Sequence, residues 1–316
     1  MRYLLKAVAG ALLLTGVVGL TYEAIAAHRD RARFPRRGCP FDVDGHKLNL
    51  VCSGQGTPTV VLEAGLTGLG AMWSPVQSAV SQFTRVCSYD RAGYGWSEPG
   101  PLPRTSRQIA QELHALLAKA GETPPIVLVG SSAGGYHVRV YAGLYGEQVA
   151  GMVLVDASHP DQAARFHFPA NPLQEKERWE PFLPILYRFG ILRLSFAREA
   201  RPAHFSKLEW AELNYLRDNI TSMRTLLREA ESIAEDAAEA RNSGTLGDRP
   251  LMVLTGGRHH DPEVRRIWVD DLQAGLVHLS SRGRQVILPN VGHEILFEDP
   301  DAIVTAIREI AAAARN

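Results

Sequence analysis

A serine between glycines is the feature of this 316-residue sequence that best fits covalent chemistry. Ser132 lies in Gly130-Ser131-Ser132-Ala133-Gly134, a G-x-S-x-G pattern, directly after the apolar run Ile126-Val127-Leu128-Val129, and residues 136–145 can form a helix behind it. In such a strand-to-helix turn, the glycines relieve crowding and the helix directs its N–H groups and positive dipole end at the serine oxygen. The context predicts that Ser132 is a nucleophile, and a structural glycine-rich turn is the alternative.

A base must accept the proton of this serine, because a serine hydroxyl is otherwise a weak nucleophile. The chain has 11 histidines. His293 fits the role because it lies on a loop after the last strand candidate, 285–288, and follows Ser132 in the chain. We therefore predict that His293 is the general base.

The oxyanion of an acyl-transfer reaction needs two backbone N–H donors that are in place before the reaction. One should be the N–H of Ala133. The other should come from the turn after the apolar run 59–62, where Gly65 lets the backbone approach the substrate and Leu66 is the best-placed donor.

The elements that must position these residues are short apolar runs that alternate with amphipathic helical stretches. This alternation predicts a mostly parallel α/β sheet covered by helices on both faces. The strand candidates are 47–52, 59–62, 85–89, 126–129, 152–155, 251–254 and 285–288. A helix is predicted between Ser106, which can cap its start, and Gly121, which can end it, and the last helix should begin at Asp299-Pro300.

The alternation of strand candidates and helices is interrupted between residues 158 and 246. This stretch is predicted to form a helical cap inserted over one end of the sheet. The predicted organisation is an N-terminal segment, 1–38, a core made of 39–157 and 247–316, and the cap, 158–246.

The charge balance and the cysteine pattern argue against two classes of partner, nucleic acids and sulfur-bound metals. Apolar residues make up 45% and charged residues 22% of the chain, and 34 basic side chains balance 34 acidic ones. Without a net positive field, nucleic-acid binding is not expected. The three cysteines form no C-x-x-C pair, so metal binding through sulfur is not expected either.

The N-terminal segment contains an uncharged apolar run, Ala7 to Tyr22, closed by Glu23. Counted from Leu4, the run approaches the roughly 20 residues that span a bilayer. A cleaved signal peptide, with Ala24-Ile25-Ala26 as its cleavage pattern, would lead to export. The arginines that follow, from Arg29 to Arg37, favour an uncleaved membrane anchor. A buried amphipathic helix is a third interpretation, which is disfavoured because the run has no polar face.

Three motifs resemble those of the α/β-hydrolase superfamily, in particular its cap-bearing esterases, C–C hydrolases and cofactor-free haloperoxidases. Ala64-Gly65 matches the family's "HG" strand end. The family's "D-R-x-G-x-G-x-S" turn is matched by Asp90-Arg91-Ala92-Gly93-Tyr94-Gly95-Trp96-Ser97. The terminal "G-H-x6-P" is matched by Gly292-His293 through Pro300. The resemblance covers about residues 40–313 and implies a mostly parallel eight-stranded sheet. The acyl-enzyme mechanism predicted for Ser132 requires no metal or organic cofactor. Ala64 and Ser131 replace histidines of the family pattern. Dehalogenases and epoxide hydrolases of this superfamily use an aspartate nucleophile, so Ser132 argues against them.

The resemblance leaves two candidates for the acid that orients His293. In the commoner family pattern the acid follows the next-to-last strand, but His259 stands there and Asp261 comes two residues late. In the rarer pattern the acid follows the strand after the nucleophile's helix, where Asp156 directly ends the run 152–155. Asp156 is favoured, and Asp261 stays the alternative.

The family's strand order also implies that Cys52 and Cys87 lie on neighbouring strands. They could form a disulfide, which would indicate an oxidising compartment, or remain two buried thiols.

The predicted function is hydrolysis of a small ester or related acyl substrate through an acyl-enzyme on Ser132. The alternative is a receptor-like protein that keeps the pocket and binds a ligand with slow or no turnover.

Overall fold

The computed structural model describes residues 2–169, 171–196 and 199–315. Met1 of the predicted N-terminal segment, Ala170, Ala197 and Arg198 of the predicted cap, and Asn316 lie outside the described residues.

One mixed sheet of eight strands forms the centre of the molecule, in the order β1-β2-β4-β3-β5-β6-β7-β8. The strands are β1 (Cys39–Val43), β2 (His46–Ser53), β3 (Thr59–Glu63), β4 (Val86–Asp90), β5 (Ile126–Ser131), β6 (Val149–Val155), β7 (Leu251–Gly256) and β8 (Gly283–Leu288). Strand β2 pairs antiparallel with β1 and β4, and the other neighbours pair parallel. The predicted mostly parallel eight-stranded sheet is confirmed.

The α-helices of the described residues fall before, between and after these strands. They are α1 (Arg2–Arg33), α2 (Ser74–Val80), α3 (Ser106–Lys119), α4 (Gly134–Leu144), α5 (Gln162–Phe166), α6 (Gln174–Glu177), α7 (Leu183–Arg188), α8 (Ile191–Phe196), α9 (Lys207–Arg217), α10 (Ile220–Arg241), α11 (Pro262–Arg265), α12 (Ala274–Leu276), α13 (Ile295–Glu298) and α14 (Pro300–Ala313). A π-helical stretch, Arg266–Gln273, joins α11 to α12.

Successive residues of the central strands contact opposite cores, because side chains alternate between the faces of a sheet. In β3, Val61 packs in the core formed with α3, α4 and α10, whereas Val60 and Leu62 pack in the core formed with α2 and α14. Both faces of β3 are therefore buried and apolar, as in a parallel sheet covered on both sides.

Helices α3 and α14 show how the sequence signals act locally. Thr105, and not Ser106, caps α3, because the Thr105 side chain accepts a hydrogen bond from the N–H of Gln108. Asp299 caps α14 by accepting from Ala302, directly before Pro300, as predicted.

Cys52 and Cys87 are bonded in a disulfide. The register of β2 against β4 places them directly opposite each other. This confirms the bridged alternative, and Cys39 carries the free thiol.

Helix α1 contradicts the predicted localisation. It runs from Arg2 to Arg33 and packs on the helices between β6 and β7, where Arg193 pairs with buried Glu23 at 2.8 Å and also with Asp30. Within the residues that the structure describes, no helix is both long enough and apolar enough to cross a membrane. The prediction of a membrane-anchored protein is therefore wrong, because the charged half of this helix is bound to protein by ion pairs.

Candidate active site

Ser132 occupies a strained turn between β5 and α4. Its φ angle is 51°, in the left-handed region that non-glycine residues rarely adopt. Two backbone hydrogen bonds fix the turn, one from the Ser132 N–H to the oxygen of Val155 at 3.1 Å and one from the Ser158 N–H to the oxygen of Ser132 at 2.8 Å. Gly134 is required by packing, because a Cβ there would lie 2.5 Å from the oxygen of Ala64.

The structure brings His293 to Ser132. The imidazole Nε2 lies 3.1 Å from Ser132 Oγ, and Nδ1 lies 2.7 Å from Oδ2 of Asp156. The His293 side chain is 48% exposed, whereas that of Asp156 is 1% exposed, so the ring stands between solvent and a buried carboxylate. This arrangement can move a proton from the serine oxygen to the imidazole.

Of the two predicted acids, Asp156 is the one that contacts His293. It follows β6 with a φ of 40°, and its Oδ1 accepts from the N–H of Gly256 at 2.8 Å. The Asp261 side chain instead caps α11, where it accepts from the N–H of Glu263 at 2.8 Å. A carboxylate that serves as a helix cap is already bound by backbone donors.

The pKa of His293 is raised above its usual value of 6.5. Burial lowers the pKa, but the hydrogen bond that His293 donates to Asp156, the negative charge of Asp156 and the charge of Glu294 together outweigh burial. A raised pKa means that the ring holds its proton to higher pH, so more alkaline conditions are needed to free Nε2 as a base.

We expect kcat/KM for an ester to rise with pH through an apparent pKa above 6.5, because only neutral His293 can accept the serine proton. In Asp156→Asn the same limb should move to lower pH, because the main cause that raises the pKa is lost. The measurement is kcat/KM from about pH 5 to 9, with product quantified independently of its own ionisation. A limb that does not move in the variant would contradict this assignment.

Trp268 supports the carboxylate and was not found from the sequence. Its indole Nε1 lies 3.0 Å from Oδ1 and 3.2 Å from Oδ2 of Asp156. It lies on the π-helical stretch after α11 and is 112 positions from Asp156 in the chain. No local pattern connects the two residues, so only the folded chain reveals the contact.

We expect Trp268→Phe to lower kcat by about tenfold, because Asp156 loses a donor that fixes its position. It should also shift the acid limb of kcat/KM upward, because a carboxylate with fewer donors holds a proton on its partner more strongly. The matched control is Trp73→Phe, because Trp73 is buried and its Nε1 has no hydrogen-bond partner among the described residues. An unchanged limb in Trp268→Phe, or the same shift in the control, would count against this role of Trp268.

The two residues predicted to form the oxyanion hole lie on the turn at Ser132 and on the loop after β3. Ala133 directly follows it and holds the N-cap position of α4. Leu66 follows Gly65, where a Cβ would lie 3.2 Å from Cβ of Ser132. The loop after β3 therefore passes close to Ser132, and it can direct backbone N–H groups at a substrate bound there.

A mostly apolar cavity of about 350 Å³ is lined by chain neighbours of Leu66 and His293. Thr67, next to Leu66, borders it on one side, and Glu294, next to His293, borders it on the other. Its apolar lining comes from Met72, Pro202, Trp210, Leu213 and Phe297. A more polar cavity of about 280 Å³ lies against β2 and β4. Ser132 and His293 line neither cavity themselves, but the apolar cavity is lined by residues adjacent in the chain to Leu66 and His293, whereas the polar cavity is not. The apolar cavity is therefore the candidate substrate site.

Solved structures share this architecture. A thermophilic esterase from Thermogutta terrifontis superposes with a TM-score of 0.63 at 22% identity, covering 89% of this chain and 99% of the esterase. The Cif epoxide hydrolase from Acinetobacter nosocomialis superposes with a TM-score of 0.71 at 15% identity, covering 92% and 96%. At these identities the two similarities establish the fold alone.

Sequence comparison identifies the family. The "Probable transporter efuK" of Hormonema carpetanum is 25% identical over 309 residues, which cover 85% of this chain. The match covers 42% of that protein, so this chain spans less than half the length of its curated relative. A family model described as "Alpha/beta hydrolase family" matches residues 60–306, which include Ser132, Asp156 and His293. The chain therefore belongs to the alpha/beta hydrolase family.

Proposed function

We propose that this hydrolase cleaves a small ester or related acyl substrate through an acyl-enzyme on Ser132. The observation that carries the proposal is the chain of contacts from Ser132 Oγ to His293 Nε2, at 3.1 Å, and from His293 Nδ1 to Asp156 Oδ2, at 2.7 Å. A serine, a histidine and a buried aspartate in this order form a Ser-His-Asp triad.

In the acylation step, Ser132 Oγ attacks the carbonyl carbon while His293 Nε2 accepts the serine proton. Asp156 holds the ring in the tautomer that leaves Nε2 free and stabilises the imidazolium. The carbonyl oxygen becomes an oxyanion that accepts from the N–H groups of Leu66 and Ala133. When the tetrahedral intermediate collapses, the bond to the leaving alcohol breaks and His293 gives it the proton.

In the deacylation step, water takes the place of the alcohol. His293 accepts a proton from the water, the resulting hydroxide attacks the acyl carbon, and the ester bond to Ser132 Oγ breaks. The proton returns to Ser132 and the carboxylic acid leaves.

The apolar cavity supports a compact hydrophobic substrate. Its volume of about 350 Å³ lies near the lower end of the range for small-ligand sites. Charged groups at the cavity do not favour an anion, because Glu294 lies beside His293 and Arg217 is paired with Glu199 at 2.5 Å. We propose that the acyl or alcohol portion of a neutral ester lies against Trp210 and Phe297.

The helices between β6 and β7 supply one wall of this cavity, which supports their proposed role as a cap. Trp210 and Leu213 belong to α9, whereas Met72 and Phe297 belong to the core. A cap of this kind selects substrates by the shape of the wall that it presents.

The experiment is a set of p-nitrophenyl esters with acyl chains of increasing length, combined with fluorophosphonate labelling and peptide mapping. We expect multiple turnovers, with kcat/KM falling once the acyl chain exceeds the cavity, and one adduct, on the peptide that contains Ser132. The failure of both turnover and labelling would overturn the proposal. Labelling of Ser132 without multiple turnover would instead support the receptor-like alternative, which no contact at the site favours.

A further inference from the structure

A buried guanidinium lies behind the loop that carries Leu66. Arg91 is 1% exposed and lies between two buried carboxylates, 2.5 Å from Glu63 of β3 and 2.7 Å from Glu229 of α10. Its five N–H donors are all engaged, two by Glu229, one by Glu63 and two by backbone oxygens. A buried arginine with every donor paired is held in one orientation.

The two backbone acceptors belong to the loop after β3. Arg91 Nη1 donates to the oxygen of Ala64 at 2.7 Å, and Nη2 donates to the oxygen of Gly65 at 2.6 Å. The carbonyl of Gly65 and the N–H of Leu66 belong to one planar peptide unit. Arg91 therefore contacts the far side of the peptide whose N–H is the proposed oxyanion donor.

This contact has two physical consequences. Because the peptide is planar, fixing the Gly65 oxygen also fixes the direction in which the Leu66 N–H points. A charge-assisted hydrogen bond to the carbonyl also polarises the peptide, which makes its N–H a stronger donor. Both effects act on an oxyanion that exists only in the tetrahedral state, so they raise kcat more than they improve substrate binding.

Glu229 connects this peptide to the inserted helices. Its Oε1 accepts from Arg91 Nε at 2.9 Å and its Oε2 from Nη2 at 2.7 Å, so the pair forms a fork. A fork sets the rotation of the guanidinium plane, which directs the remaining Nη2 donor at Gly65. The next peptide is held by the same cluster, because the Tyr94 hydroxyl lies 2.8 Å from the oxygen of Leu66 and 3.0 Å from Glu229 Oε2.

We infer that Arg91, oriented by Glu229 of α10, is a positioning residue that aligns and polarises the Gly65–Leu66 peptide as an oxyanion donor. The inference rests on the proposed function, because it needs an oxyanion at Ser132. It adds to that function a link between the helical insertion and transition-state stabilisation. The link uses only backbone of the loop and therefore does not depend on the alanine at position 64.

The test compares Arg91→Lys with Arg104→Lys. Lysine keeps the charge but offers three donors in place of five. It cannot therefore donate to both oxygens of Glu229 and to the carbonyls of Ala64 and Gly65 at the same time. Arg104 is the matched control, because it is also buried and forms a fork with Glu112 at 2.6 and 2.8 Å. Both substitutions break a buried arginine–carboxylate fork, but only Arg91 contacts the Gly65 oxygen.

With the best p-nitrophenyl ester, we expect Arg91→Lys to lower kcat by at least about tenfold with little change in KM, whereas Arg104→Lys keeps kcat within about threefold. The second measurement is inhibition by an alkylboronic acid, which forms a tetrahedral adduct with a reactive serine. Its affinity should fall in Arg91→Lys by the same factor as kcat/KM. A purely structural role would not weaken the tetrahedral adduct selectively.

The outcomes separate the inference from the proposed function. If wild-type protein neither labels at Ser132 nor turns over esters, the proposed function fails and the inference falls with it. If wild type is active and Arg91→Lys loses no more kcat than Arg104→Lys, the inference alone is overturned. If Arg91→Lys does not fold, Glu229→Gln replaces it, and an unchanged kcat and boronate affinity in that variant overturn the inference.

Discussion

Ser132→Ala is expected to lower kcat for esters by about 10⁶-fold and to abolish fluorophosphonate labelling. Alanine removes the oxygen that lies 3.1 Å from His293 Nε2, so no covalent intermediate can form at this turn. The fold should remain, because the turn is held by the backbone of Ser132 and not by its hydroxyl. Steady-state kinetics and intact-protein mass after labelling measure the two effects.

The neighbouring serine provides the control for this variant. Ser131 ends β5, where it pairs with Val155 of β6, and we expect Ser131→Ala to keep labelling and to change kcat only a few-fold. Labelling that survives in Ser132→Ala, or that is lost in Ser131→Ala, would place the nucleophile elsewhere. Circular dichroism and the thermal midpoint would show that both variants are folded.

Asp156→Asn is expected to lower kcat by about 10⁴-fold, the loss typical of a triad whose acid is neutralised. The amide removes the negative charge that stabilises the imidazolium and favours the wrong tautomer of His293. It also turns an NH₂ group toward the donors that now serve the carboxylate, the N–H of Gly256 and Nε1 of Trp268. Labelling by the fluorophosphonate should slow greatly but still occur at Ser132.

Asp261→Asn is the matched control for the acid. Asparagine caps a helix about as well as aspartate, so α11 should persist and kcat should stay within about twofold. A large loss of kcat in Asp261→Asn with little loss in Asp156→Asn would reverse the assignment of the acid. The pair of variants therefore tests both acids that the sequence allowed.

For the N-terminal helix, the local sequence pattern predicted a membrane span that the structure does not support. The run from Ala7 to Tyr22 is apolar and uncharged, and such a run predicts a membrane span by its composition alone. The prediction treated Glu23 as the end of the run and the following charges as a flank. In the structure the helix continues through them, and Arg193 pairs with Glu23 and Asp30. These charges are therefore paired with an arginine from a distant part of the chain, which the local pattern did not indicate.

The strands, the turn at Ser132 and the loop position of His293 could be predicted because they depend on short-range physics. The alternation of apolar and polar residues, the spacing of glycines and the succession of a strand and a helix each depend on residues within about 20 positions of one another. The same holds for the cap of α14, where Asp299 and Pro300 are adjacent in sequence. For these features the sequence by itself was sufficient.

Contacts between distant segments were decided only by the tertiary structure. His293 and Asp156 are 137 positions apart, and Arg91 and Glu229 are 138 positions apart. Local patterns left Asp156 and Asp261 as alternatives, because each follows a strand and each can cap a turn. The choice depended on where β6 and the loop after β8 meet in space, and this is set by the packing of the whole sheet. The same long-range packing places Trp268 on the carboxylate and Glu229 on Arg91, which no pattern of neighbouring residues can specify.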